Sequence, residues 1–160
     1  MKRRSEFRSA CGAAQGFTTI ELITVIVILG ILAVVALPRL GNADNKALVF
    51  HDAVVSALRY AQKMAISHRR NVCVSFPSAT QMKLMIASTS GSAQGCDTNL
   101  PVPGSNSNTV TSTDAQNALF SPVPGAIVFA PDGTSGGAAI SFANQKASAI
   151  TVVGTTGYVN

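Results

Sequence analysis

Gly16-Phe17-Thr18-Thr19-Ile20-Glu21-Leu22-Ile23 opens an apolar run that continues to Leu37, interrupted only by Thr24 and small residues. Apart from its one carboxylate, the run reads as a membrane-ready helix. From Ile20 to Leu37 it rises about 27 Å, near the short end for crossing a bilayer. Glu21 is the single carboxylate of the run. A charge at the centre of a membrane helix costs roughly 2.5–3.5 kcal/mol on insertion scales. With no evident partner close by, Glu21 is expected to find one on another molecule.

A basic leader precedes the run, with Lys2, Arg3, Arg4 and Arg8 against Glu6 alone. Basic residues followed by an apolar segment also fit a secretory signal or a plain signal anchor. Ala33-Val34-Val35-Ala36 is a poor substitute for a small-residue cleavage site with a polar boundary. The leader bases favour a cytoplasmic N-terminus, with the rest of the chain beyond the membrane. The chain of 160 residues carries a formal charge of +5. Without the first sixteen residues, eight bases face six acids, too small a surplus to argue for nucleic acid. There is no Trp, so stacking platforms are few, and one modest domain besides the apolar run exhausts the length.

Pro38 ends the run, followed by Gly41-Asn42. Pro removes a helical hydrogen bond, so Pro38 marks either a kink or the end of a first helix. From Asp44 onward Ala47, Phe50, Val54, Leu58, Ala61 and Ala65 recur at spacings of three or four, with Asp52, Ser56, Arg59 and Lys63 opposite. This predicts an amphipathic helix with one face on a sheet. If continuous, Phe17 to Ser67 would extend roughly 75 Å, more than a bilayer needs.

After His68-Arg69-Arg70 the period becomes two. Val72, Val74 and Phe76 alternate with Asn71, Cys73 and Ser75. Pro77 to Thr80 reads as a turn into Met82, Leu84 and Ile86, the second strand of a hairpin. Residues 88–118, rich in Ser, Thr, Asn, Gly and Pro, predict a long loop or irregular strands. Ala126–Phe129, Ala138–Phe142, Ile150–Val153 and Tyr158-Val159 are four further short strands. Pro131-Asp132-Gly133 and Ser135-Gly136-Gly137 are the turns between them. One long helix followed by six strands predicts an α+β fold with an antiparallel sheet.

Catalytic constellations are lacking in the sequence. His51 and His68 fall on the amphipathic helix without a common pocket, and Asp132 has a turn-forming reason to be where it is. Neither a G-x-S-x-G elbow nor a phosphate-binding G-x-x-x-x-G-K-[ST] loop occurs. The expectation is a non-enzyme without metal or other cofactor.

Residues 16–23 and the helix behind them resemble the prepilin signal of type IV pilins and type II secretion pseudopilins. The resemblance implies cleavage by prepilin peptidase between Gly16 and Phe17, and N-methylation of Phe17. Glu21 takes the family's acidic position, five residues into the mature chain and about 6 Å along the helix from Phe17. There it is expected to meet the N-terminal amine of a neighbouring subunit, beyond offsetting its own helix dipole. Thr19 departs from the pattern, standing where an apolar residue is usual. Ala57–Ala65 and the closing stretch Thr151–Val159 resemble the GspH/FimT group of minor components. The apolar run through Leu37-Pro38-Arg39 is most similar to the mannose-sensitive haemagglutinin (MSHA) pilus branch.

The resemblance implies four segments: 1–16 a cleaved leader, 17–37 a transmembrane and assembly helix, 38–70 its amphipathic continuation with a kink at Pro38, and 71–160 a β-rich periplasmic head. The implied location is the bacterial inner membrane, with the leader cytoplasmic and the head periplasmic, or an assembled pilus or pseudopilus. Cys11 leaves with the leader. In an oxidising compartment Cys73 and Cys96 either join in a disulfide or stay as two buried thiols. Implied partners are prepilin peptidase, other pilins or pseudopilins, and the membrane. The implied role is a minor pilin that initiates or caps a pilus, with a type II secretion minor pseudopilin as the alternative. A DNA-uptake pilin is disfavoured, because no Lys or Arg follows Lys146 and phosphate contacts need them. A membrane-anchored periplasmic enzyme is disfavoured for want of a catalytic set.

Overall fold

The computed structural model describes residues 16–36, 43–91 and 95–160. The chain divides into two compact units, Met1–Arg39 and Leu40–Asn160. The first contains helix α1, Thr19–Ala36. Its apolar side chains are exposed along the length of the helix, from Ile20 and Leu22 to Ile31 and Leu32. Among the described residues of its own unit this surface therefore has no cover. Among the described residues no helix is long and apolar enough to cross a membrane. The 18 residues of α1 reach about 27 Å, against an apolar core of about 30 Å. Pro38, and with it the predicted kink, lies outside the described residues.

The second unit begins with helix α2, Ala43–His68. Ala47, Phe50, Val54, Leu58, Ala61 and Ala65 are buried as their spacing predicts, joined by Ala57. Asp52, Ser56, Arg59 and Lys63 lie on the exposed face. The helix ends in a Schellman motif: Arg70 N donates to Ala65 O (3.1 Å) and Arg69 N to Ile66 O (3.3 Å). Arg69 holds the left-handed position at φ 51°, where Gly is usual.

The buried stripe of α2 packs on an antiparallel sheet of five strands. Strand β1 (Val72–Ser78) pairs with β2 (Gln81–Ile86) on one side and with β5 (Ile127–Phe129) on the other. Alternation works as expected: Val72, Val74, Met82, Leu84 and Ile86 are buried. Asn71 is the exception on the outward set, being buried itself, and its carbonyl accepts a bond from Ala87 N at 2.9 Å. Pro77, read from sequence as the start of a turn, instead lies within β1. The register shifts between Ser75 and Ser78, and such a bulge tolerates a residue that cannot donate to the ladder.

Residues 88–118 supply two short strands, the second of the two sequence alternatives. Strand β3 (Thr98–Asn99) pairs with Met85 and Ile86, and β4 (Thr109–Thr111) with Gln81 to Lys83, both on the same edge of β2. Asn108 bridges the gap between them. Its Nδ2 donates to Leu84 O at 3.1 Å and to Asn99 Oδ1 at 2.9 Å, and Leu84 N donates back to Asn108 O at 2.8 Å. A strand expected only as half of a hairpin is therefore paired along both edges.

Strands β6 (Ala138–Ile140) and β7 (Ile150–Val152) form a separate antiparallel pair. The end of the strand predicted over Ala138–Phe142 and the whole of the strand predicted at Tyr158-Val159 are reduced to single bridges, Phe120 with Phe142 and Val152 with Val159. Among the described residues there are seven strands in two sheets, not six in one. An aromatic cluster ties the layers together: Phe120 lies 5.1 Å from both Phe50 and Phe76, and 5.5 Å from Phe142. Tilted and edge-on arrangements such as these add about 0.5–1.5 kcal/mol per pair beyond area burial.

Candidate functional site

The N-terminal motif forms a small site of its own. Gly16 and Phe17 precede α1 and are exposed, Phe17 at 88%. Thr18 is the N-cap of α1. Glu21 N donates to Thr18 Oγ1 at 3.3 Å, while Glu21 Oε2 accepts from Thr18 N at 3.3 Å and from Thr18 Oγ1 at 3.2 Å. This is a reciprocal capping box, built by Thr18-Thr19-Ile20-Glu21 at the required spacing. Such a box satisfies two amides that the first turn of a helix otherwise leaves open.

The finding corrects one expectation. Glu21 is not a carboxylate without a local partner, because its own N-cap residue binds it. The signal was present in the sequence as a Thr three residues before a Glu at the start of an apolar run. A cavity of about 210 Å³ adjoins the carboxylate, lined by Gly16, Phe17, Thr18 and Glu21. Farther along, Thr24 Oγ1 donates to Glu21 O at 2.9 Å, so this hydroxyl is satisfied on the helix backbone.

In the head, Cys73 and Cys96 form a disulfide with a Cα separation of 5.9 Å. It links the first strand to the segment that leads into β3. A larger groove of about 480 Å³ lies at the far end of α2, lined by Arg69, Ser90, Gly91, Ala130, Pro131 and Asp132. Nothing in the sequence pattern pointed to it, because its walls come from three separated segments. Asp132 belongs first to its turn. Bonds from Thr134 N and then Thr134 Oγ1 hold its carboxyl below the usual range.

The histidines do not converge. The His51 ring lies 5.3 Å from that of Phe142, tilted by 59°, and contacts Asp52, whereas His68 ends α2. Among the described residues no group of three or more His, Cys, Asp or Glu is placed to hold a metal ion. At the start of α2, Asp44 is paired with Lys146 and accepts from Asn144 Nδ2 at 3.2 Å. Lys146 first, then Asn144, lower the Asp44 pKa.

The family model for type II transport protein GspH matches residues 52–157. No curated protein is significantly similar to the chain. Among solved structures, the crystal structure of the type IV minor pilin FimU of Pseudomonas aeruginosa (strain PAO1) is similar. It shares 13% identity over 72% of this chain and 87% of that one, at a TM-score of 0.48. The matched residues take in most of α2, the disulfide and all seven strands. The chain belongs to the GspH family of type II transport proteins.

Proposed function

We propose that the chain is a minor pilin which prepilin peptidase cleaves between Gly16 and Phe17 and methylates on the Phe17 amine. In this reading α1 is anchored in the bacterial inner membrane, the leader is cytoplasmic and the head is periplasmic. The mature subunit takes part in initiating or capping a type IV-like pilus of the MSHA type. Glu21 binds the methylated amine of a neighbouring subunit. The role is structural, without catalysis, cofactor or nucleic acid.

The observation that carries the reading is α1 itself. It exposes apolar side chains along its length and places one carboxylate in its first turn. An uncovered apolar helix must be covered by lipid or by other helices. A charge in such a setting needs a counter-charge.

The family description favours a second reading, a minor pseudopilin of a type II secretion system. Deletion separates the two: the first reading expects loss of pili, the second loss of protein secretion. Mass spectrometry of the mature N-terminus tests the processing common to both, with methylated Phe17 expected and a retained Met1–Gly16 segment overturning it. Glu21→Ala is expected to insert into the membrane yet not support assembly, and normal assembly by this variant would refute the contact. A gel shift on the head tests the absence of nucleic-acid binding; tight, salt-sensitive complexes would contradict it.

A further inference from the structure

Asp132-Gly133 is the single Asp-Gly pair of the sequence, and no Asn-Gly occurs. Such a pair is prone to rearrange, because no side chain on the glycine shields its nitrogen. That nitrogen attacks the aspartate side-chain carbon Cγ and a C–N bond forms. The protonated carboxyl gives up its OH and the amide its proton, leaving together as water, and a five-membered succinimide results. Water then adds at either ring carbonyl. One opening restores aspartate. The other yields isoaspartate, whose main chain runs through Cβ and Cγ and is one atom longer.

The fold nevertheless uses both residues. Gly133 holds φ 87°, and a Cβ there would lie 2.8 Å from Ile66 Cδ1. Its carbonyl oxygen accepts from Gln62 Nε2 at 3.4 Å. The Gly157 backbone passes so near that a Cβ on it would lie 2.0 Å from the same oxygen. Asp132 closes the turn, its Oδ1 accepting from Thr134 N at 3.0 Å and from Thr134 Oγ1 at 2.7 Å. An added backbone atom at this junction would drive Gly133 against helix α2 and the C-terminal segment.

We infer that Thr134 protects the Asp132–Gly133 link from succinimide formation. It anchors the carboxylate by Oδ1, and ring closure has to break both of those bonds. The attacking nitrogen is engaged too: Gly133 N donates to Ala130 O at 2.9 Å, within a turn closed by Ala130 N donating to Thr134 O at 2.9 Å. Closure also needs the protonated carboxyl. The Thr134 amide first, then its hydroxyl, favour the ionised form and hold this carboxyl below its usual range. Arg69, the other charged residue lining the adjoining groove, adds a positive charge on the same side. Asp132 is exposed, so water is at hand for the second step, and protection rests on preventing the first.

The test measures the rearrangement in full-length chains kept folded at neutral pH: wild type, Thr134→Val, Thr134→Ser and a Cys73→Ser, Cys96→Ser double variant. Wild type in denaturant gives the unprotected rate. Isoaspartate is read by chromatographic separation of the isomeric peptides after digestion, and succinimide as a mass lower by one water. Val has the shape of Thr without the hydroxyl, Ser keeps the hydroxyl, and the double variant loosens the head through the disulfide between Cys73 and Cys96.

The folded wild type is expected to rearrange more slowly than the denatured chain. Thr134→Val should be about fivefold faster than folded wild type, the factor that one ordinary hydrogen bond represents. Thr134→Ser and the double cysteine variant should match wild type. A folded wild type as fast as the denatured chain overturns the inference, as does a Thr134→Val rate equal to wild type. If Thr134→Ser is as fast as Thr134→Val, the hydroxyl is not the protecting group. If the cysteine variant is as fast as Thr134→Val, general opening of the head sets the rate, and Thr134 has no protective role.

Discussion

The Arg59 guanidinium donates two hydrogen bonds to the carbonyl of Val159, from Nε at 3.2 Å and from Nη2 at 3.1 Å. One turn along α2, Gln62 Nε2 donates to Thr156 O at 2.7 Å. Two residues of the polar helix face thus fasten the last segment of the chain, while Val159 inserts into the core. Gly157 permits the approach at φ 63°. A Cβ there would overlap the Gly133 carbonyl oxygen and crowd Gln62.

Arg59→Ala is expected to loosen the C-terminal segment and destabilise the head by about 1 kcal/mol, a typical net value for such bonds at an accessible site. For a unit of this size that is a fall of about 4 °C in Tm. Thermal unfolding of residues 40–160 checks the magnitude. Faster amide exchange at Val153 and Asn160 checks the location. Arg59→Lys restores only part of the loss, since a lysine lacks the planar fork.

Arg69 should be improvable. At φ 51° in the position that follows the last turn of α2, a side chain strains the backbone and Gly does not. Arg69→Gly is expected to stabilise the head by about 0.5–1 kcal/mol, read as a higher urea midpoint at unchanged slope. Arg69→Val, branched at Cβ, is expected to destabilise it. A loss of stability in the Gly variant would mean that Arg69 makes a contact worth more than the strain.

Acid should weaken the head in a defined range. Asp44, Asp97, Asp114 and Asp132 all have carboxyls held below their ordinary value of 3.8. The leading causes are Lys146 for Asp44, the Ser88 hydroxyl for Asp97, the Gln116 amide for Asp114 and the Thr134 amide for Asp132. A depressed carboxyl pKa stabilises the fold fully above the unfolded value and loses that contribution as pH falls through the folded one. Unfolding midpoints should therefore be flat with respect to these groups well above pH 3.8 and decline below it. Replacing all four with Asn should flatten the decline.

Reducing the Cys73–Cys96 disulfide releases a link across 23 residues of sequence. In the chain-entropy account that is worth roughly 3 kcal/mol. A Cys73→Ser and Cys96→Ser double variant is expected to unfold at correspondingly lower denaturant. Amide exchange should rise most at Leu100, whose N–H bonds Leu84 O at 3.3 Å next to β3. Uniform loss across the head would show instead that the bridge supports the whole sheet.

Elements whose cause is local can be read from residue order alone. Periodicity placed Phe50, Val54 and Leu58 on one face of α2, and alternation placed Val72, Val74, Met82 and Leu84 inside, because side-chain direction repeats with the backbone. The Thr18–Glu21 box was legible for the same reason, being contained within four residues. How residues 88–118 complete the sheet depends instead on packing across the fold. Strands of two and three residues carry too little alternation to read, and they form because β2 offers an open edge on which Asn108 joins them. The closure of Cys73 on Cys96, the groove beside Arg69 and the grip of Arg59 on Val159 are likewise tertiary. Each brings together residues far apart in the chain, and their meeting depends on how helix, sheet and tail pack, which no local period encodes.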